Sequence, residues 1–216
     1  MRSVRFSDRE FTKLKRILPV YDWSLQIAMT KLKILQQEQL ITQSRNPIEH
    51  IKARLKSPEA IAQKLQKLNL EITAANAKGK LRDIAGIRMI CPFAKDIRIL
   101  VEILKSMPGM EVVDEEDYIS NPKPSGYRSF HLTLMIPVYF SGSTEDVPVE
   151  VQLRTAAMDF WATMEHQVRY KYKEHIPQHL CDELVICAEK ITELDERMLL
   201  IQEIISLINE DSSSGS

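Results

Sequence analysis

Two stretches in which apolar and polar residues alternate strictly constrain this fold more than anything else in the chain. In the first, Phe130, Leu132, Leu134 and Ile136 share one parity, while Tyr127, Ser129, His131 and Thr133 share the other. In the second, Val147, Val149, Val151 and Leu153 alternate with Glu150, Gln152 and Arg154. A period of two predicts strands with one buried and one polar face. Helical patterns come before and after this strand-rich middle, and one helix crosses within it. That order predicts an α+β fold around a mixed sheet, flanked by N- and C-terminal helices.

The lead-in to the first strand, DYISNPKPSGYRSFH from Asp117 to His131, opens extended and breaks at Asn121-Pro122. It then turns on Ser125-Gly126, where glycine permits a positive φ and a close approach of backbone or ligand. An exposed tyrosine and histidine following a turn that bears Lys123 suit a purine nucleotide, with the ring on the base and the cations on phosphate. Stacking on Tyr127 is worth about 1–3 kcal/mol. That fixes a substrate without accelerating chemistry. The plainer alternative is an ordinary sheet with a polar outer face.

Along the rest of the chain, residues 8–18 and 20–44 read as two helices separated near Pro19, with Leu25, Ala28, Leu32 and Leu35 on one apolar face. IEHIKARLK reads as a short helix. Ser57-Pro58-Glu59 is a helix start, with Ser as N-cap and Pro in the first turn, and the helix it opens buries Ile61, Leu65 and Leu68. Lys64 and Lys67 fall on another face and, with Arg54 and Lys56, make a basic cluster at one junction. Asp83 to Cys91 reads as a central strand, Lys95 to Met107 as an amphipathic helix, and Met110 to Asp114 as a further strand.

Thr155 to Lys173 reads as a helix with Ala157, Trp161, Met164 and Val168 on one stripe and Glu165, Arg169 and Lys173 on a charged line. After Pro177, apolar residues from Leu180 to Ile208 recur at intervals of four and three, a coiled-coil-like seam. A helix lying along its own domain explains that seam, and contact between subunits explains it slightly better. Asp211 to Ser216 is expected to be a disordered tail.

Composition removes several classes of function. With 44% hydrophobic and 27% charged residues the chain is globular, and a net charge of −1 requires any basic site to be local. Three cysteines without CxxC spacing argue against a disulfide framework, and the N-terminus lacks an apolar leader. A cytoplasmic protein is expected, with no membrane attachment. Walker A, GxGxxG and HExxH motifs are all missing, and the five histidines have no zinc spacing. What remains is two strand acids, Asp83 and Glu150, a supply of Lys and Arg, and the Tyr-His face. Two carboxylates converging from neighbouring strands suit Mg²⁺, which binds through one or two carboxylates together with substrate phosphates. Arg54 to Lys67 and Arg88 are then available to balance phosphate charge or stack on a base.

Four blocks in unbroken order, HIKARLKSPEAIAQKL, DIAGIRMIC, DYISNPKPSGYRSFH and EVQLRTAAMDFWATMEH, resemble the RelA/SpoT-type (p)ppGpp synthetase domain over residues 46–175. The length leaves no room for the regulatory and hydrolase domains of the long enzymes, so the chain looks like a stand-alone small alarmone synthetase, and NPIEH is most similar to the RelP (YwaC-like) branch. The resemblance implies a nucleotidyltransferase-like mixed sheet that transfers the β,γ-pyrophosphate of ATP to the ribose 3′-OH of GDP or GTP. It further implies that Asp83 and Glu150 hold Mg²⁺, with Glu150 also helping to deprotonate the hydroxyl. Arg54 and Arg88 are implied to sandwich adenine, with Lys56, Lys64 and Lys67 near the phosphates. Tyr127 is implied to stack on guanine, Gln152 to read its edge, and Lys123 and His131 to meet the acceptor's phosphates. Residues 1–45 are expected to form N-terminal helices and 176–210 a helix for assembly, into a homotetramer as in relatives.

Several positions depart from the family pattern. Ala60 stands where serine is usual, and Glu115 and Glu116 stand where some relatives carry a basic residue. Asp159 occupies the asparagine position of the branch activated by its product, and the first helix keeps only part of that branch's basic set, such as Lys33. Product activation is therefore expected to be weak or absent. Two alternatives stay open: a nucleotidyltransferase, although no DxD pair lies near Asp83, and a catalytically inactive module binding nucleotides or single-stranded RNA.

Overall fold

The computed structural model describes residues 8–42, 45–171 and 176–214. Its centre is a five-stranded sheet in the order β1-β2-β5-β4-β3, made of β1 (His50–Leu55), β2 (Ala85–Cys91), β3 (Glu111–Asp117), β4 (Phe130–Tyr139) and β5 (Thr144–Thr155). Only β2 and β5 pair in parallel, so the sheet is mixed as the element order predicts. The helices are α1 (Asp8–Thr42), α2 (Pro58–Lys67), α3 (Ala74–Lys80), α4 (Ala94–Ser106), α5 (Ala156–Lys171) and α6 (Gln178–Ser214).

Register sorts the side chains. Phe130, Leu132, Leu134 and Ile136 lie opposite Leu153, Val151, Val149 and Val147, and Ile87 and Met89 continue the same face on β2. All are buried, because α1 and α4 pack across this side of the sheet. The face of α1 bearing Leu25, Ala28, Leu32 and Leu35 is buried as the spacing predicts. Among the described residues, no helix is long and apolar enough to cross a membrane.

Several expectations are corrected. Pro19 lies inside one continuous α1 and does not divide it. Proline removes a backbone donor, but buried Leu14, Val20 and Tyr21 hold the helix to the core on both sides of it. IEHIKARLK contains a strand, because residues 50–55 pair antiparallel with β2 and Ile51 and Leu55 fit period two as well as a helical spacing. Leu68 is exposed, since α2 stops at Lys67 before completing that face. Met164 is exposed as well. The apolar seam of α6 is covered only near its start, and Leu194, Met198, Ile201, Ile205 and Ile208 face outward. That helix runs on to Ser214 through part of the expected disordered tail, because no proline or glycine interrupts it and each added residue gains a backbone bond. The side chains of Arg169 and Lys173, and residues 172–175 where the synthetase domain is expected to end, lie outside the described residues. The Ser57 cap forms as expected, accepting from the Ala60 N–H at 3.2 Å.

The segment joining β3 to β4 is fastened at both ends. Asp117 accepts the amides of Ile119 and Ser120 at 3.0 Å each and pairs with Arg98 at 2.7 Å, while Arg128 donates to the Ile119 carbonyl at 2.8 Å. Between them the Gly126 N–H reaches the Lys123 carbonyl at 2.8 Å across Pro124-Ser125. Gly126 has φ +87°, and a Cβ there would lie 2.6 Å from the Ala188 Cβ on α6. The glycine is needed for its backbone conformation and for its size.

Burial alone would raise the Asp117 carboxyl, but Arg98 and the two amides outweigh it and hold the pKa at about 2. Since this lies below the unfolded value of 3.8, the stabilisation is complete above about pH 4 and is lost as pH falls toward 2. Asp117→Asn is expected to reduce unfolding free energy at pH 7 by about 1 kcal/mol. Urea unfolding over a pH series checks this, and a gap from wild type that persists undiminished near pH 2 contradicts it.

Candidate active site

The face of the sheet opposite the core carries the charge. One rank across the strands runs Arg54, Gly86, Glu150, Thr133 and Asp114, and the next runs Lys52, Arg88, Gln152, His131 and Glu116. Between this face and α5 lies a cleft of about 630 Å³, a size suited to a small-molecule ligand. Arg54, Gly86, Arg88, Tyr127, Glu150 and Gln152 line it from one side and Thr163 and Gln167 of α5 from the other.

At one end of the site Asp83, just ahead of β2, is held by two ammonium groups. Lys56 Nζ and Lys64 Nζ lie 2.5 and 2.6 Å from its Oδ2. Lys56 directly follows β1, and the Ser57-Pro58 start of α2 directs Lys64 back toward the same carboxylate. Asp83 Oδ1 is buried and has no hydrogen-bond partner among the described residues. Burial would raise the Asp83 pKa, but the two lysines outweigh it and keep the carboxyl below its usual range. Burial lowers Lys56, and its bond to Asp83 only partly offsets this. Glu150 shifts upward, chiefly from burial, with the Asp83 charge adding to it and a hydrogen bond from Gln152 Nε2 at 2.6 Å opposing it.

At the other end Tyr127, His131 and Tyr118 meet edge to face, with centroids 5.3–6.1 Å apart. Lys123 Nζ lies 4.1 Å from the Tyr118 ring and 5.3 Å from Tyr127. The Tyr127 hydroxyl is 2.8 Å from His131 Nε2 and receives a bond from Arg154 Nη2 at 2.5 Å.

The sequence placed His131 and Thr133 on an exposed polar face and Arg154 outward. All three point away from the core as expected, yet they are buried, because the side chains of the cleft cover one another. Burial first, and then the Arg154 charge, push the His131 pKa down to about 4. At neutral pH it is an uncharged hydrogen-bonding group and not the cation expected from the sequence.

Asp83, Glu150, Lys56 and Lys64 come together, as do Arg54, Arg88 and Gln152 along the sheet and Lys123, Tyr127 and His131 at its far end. Lys67 is exposed at the end of α2 and is not brought to Asp83. The sequence assigned no site role to Lys52, Tyr118 or Arg154, and marked Asp159 only as a departure from the product-activated branch. Lys52 shares parity with Arg54 once residues 50–55 are a strand, and Arg154 shares it with Glu150 and Gln152, so both were within reach of the alternation. The position of Asp159 depends on how β5 runs into α5, which no periodicity reports.

A mixed sheet whose open face carries Glu150 and a run of cations, with Asp83 held by two lysines just ahead of β2, defines a phosphate-handling cleft. Residues 53–175 match the model described as a region found in RelA / SpoT proteins, and the chain belongs to that family. It is 44% identical over 189 residues to GTP pyrophosphokinase YwaC of Bacillus subtilis, covering 88% of this chain and 90% of that one. GTP pyrophosphokinase YjbM of the same organism is 35% identical over 85% of this chain and 86% of its own. The crystal structure of small alarmone synthetase 1 from Bacillus subtilis bound to its product pppGpp superimposes with a TM-score of 0.82 at 34% identity, over 88% of this chain and 97% of that one. Small alarmone synthetase 2 from that organism gives 0.79 at 43% identity, with the same coverage.

Gly86 faces Arg54 across the β1–β2 pair and Glu150 across β2–β5. A Cβ there meets nothing closer than two carbonyl oxygens at 3.8 and 3.9 Å, so a side chain is tolerated by the fold and projects into the cleft. Gly86→Val is expected to leave the melting temperature within a few degrees of wild type while cutting turnover at least about 100-fold. Thermal melts beside turnover assays check this, and full activity in the variant contradicts it.

Proposed function

We propose that this chain is a GTP/GDP pyrophosphokinase that transfers the β,γ-pyrophosphate of ATP to the ribose 3′-OH of GDP or GTP. The products are AMP and ppGpp or pppGpp, the alarmones of the stringent response. The observation that carries this reading is the arrangement of the cleft, with a lysine-flanked acid pair at one end and a cation-flanked tyrosine at the other. The likeness to synthetases over most of the chain supports it.

Arg54 and Arg88 are diagonal neighbours with side-chain-free Gly86 between them, so a flat adenine enters between two guanidiniums. Lys56 and Lys64 meet the ATP phosphates. Tyr127 stacks on guanine, Gln152 reads its edge, and Lys123 meets the acceptor's phosphates. His131 donates or accepts as a neutral imidazole. Glu150, with its proton affinity raised by burial, takes the 3′-hydroxyl proton as that oxygen attacks the β-phosphorus. The bond from the β-phosphorus to the α,β-bridging oxygen breaks, and AMP leaves.

Among the described residues no cluster of three or more His, Cys, Asp or Glu forms a metal cage. The pair still fits Mg²⁺, because Asp83 has one buried oxygen without a partner and this ion takes few protein ligands where substrate phosphates supply the rest. Asp83 and Glu150 would hold it, and it would supply charge neutralisation for the phosphates. We assign the protein to the cytoplasm and to a homotetramer joined through its terminal helices, a reading supported by the outward apolar residues of α6.

ATP labelled at the γ-phosphate is expected to pass its label into the guanosine product, and release of the label as free pyrophosphate contradicts this. Glu150→Gln is expected to lower kcat about 10²–10⁴-fold, the usual contribution of a general base, and unchanged synthesis removes Glu150 from that role. Light scattering at micromolar concentration is expected to give a tetramer mass that falls in an Ile201→Asp/Ile205→Asp variant. A monomer mass for the wild type contradicts the assembly.

A further inference from the structure

Two arginines on the cleft face share one carboxylate oxygen. Arg88 on β2 and Arg154 on β5 both reach Asp159 Oδ1, at 2.9 and 3.1 Å. Asp159 lies in the first turn of α5, directly after β5 runs into that helix. Thr155 marks the junction, where its hydroxyl accepts the Met158 N–H at 3.1 Å. The carboxylate is therefore held by a strand on one side and a helix on the other, a rigid mounting for a site residue.

Arg154 is only 4% exposed, and its second terminal nitrogen continues to the Tyr127 hydroxyl at 2.5 Å and to Gln152 Oε1 at 2.9 Å. Tyr127 in turn meets His131 at 2.8 Å. An unbroken series of polar contacts thus runs Arg88, Asp159, Arg154, Tyr127, His131. It begins at a group assigned to the donor's base and ends at groups assigned to the acceptor.

Without the carboxylate, two guanidinium cations would face each other across the end of the cleft with nothing between them. Arg88 is poorly placed to absorb that loss, because its Nε is already buried without a partner among the described residues. The two arginines would splay, and the Tyr127 ring would lose one of the two bonds that orient it. Buried polar networks of this kind act as a unit.

Resting on the functional reading above, the geometry points to Asp159 as a positioning residue that couples the two nucleotide subsites, fixing Arg88 for the donor base and, through Arg154, the Tyr127 ring for the acceptor base. Fixing one end of the series orders the other, so either nucleotide binds more tightly once its partner is in place. The effect is reciprocal by linkage.

Calorimetry on the full chain with Mg²⁺ tests this. The ligands are GDP and an ATP analogue with a methylene bridge between the α- and β-phosphates, each titrated alone and against saturating partner. Wild type is expected to show at least about fivefold mutual tightening, the low end of site-to-site couplings. In Asp159→Asn, isosteric but uncharged, the ratio is expected to fall below about twofold. Asp159→Glu, which keeps the charge on a longer arm, is expected to retain a ratio between the two, and it carries the test if the asparagine variant melts early. No mutual tightening in wild type, or an undiminished ratio in Asp159→Asn, overturns the proposal. So does a loss of both affinities with the ratio intact, since that is what a purely structural role would give. Failure of wild type to bind either nucleotide overturns the functional reading instead.

Discussion

Everything in this molecule depends on the parallel pairing of β2 with β5. That register places Ala85, Ile87 and Met89 beside Val149, Val151 and Leu153 on one face, and Gly86 and Arg88 beside Glu150 and Gln152 on the other. Side chains alternate strictly along a strand, so a slip of one residue would drive Glu150 and Arg88 into the hydrocarbon core and valines into the cleft. Burying an unpaired charge costs far more than such a sheet could recover. Packing therefore enforces the order in which the polar groups are presented.

The site is built from charges that restrain each other before any substrate arrives. Asp83 is neutralised by two lysines, Asp159 by two arginines, and Lys123 rests on aromatic rings. Each pairing orients a side chain at the cost of partial desolvation. Preorganisation of this sort reduces the ordering that binding would otherwise require.

Where the sequence was legible, the reason was periodicity. The strict alternation in β4 and β5 gave the strands, the buried face and the polar face together, and the Ser57-Pro58-Glu59 start of α2 was visible in its capping chemistry. Where it was illegible, two patterns fitted equally or tertiary packing overrode a local rule. Ile48, Ile51 and Leu55 satisfy a helical spacing, and only the partner strand β2 decides for β1. Pro19 breaks most helices, but here the core on both sides holds α1 together. The carboxylate of Asp159 gained its partners from the way β5 continues into α5, which no one-dimensional pattern carries. The burial of His131 likewise follows from neighbours far off in the chain, Arg154 and Glu116 among them.

Gly126 and Ala188 sit so close that their sizes are tied together. The loop ahead of β4 presses on α6 at a point where neither can grow, one for lack of a Cβ and the other for having only a methyl. Sequence change at either position has to be answered at the other. The C-terminal helix, distant in chain order, is thereby written into the shape of the loop that carries Tyr127.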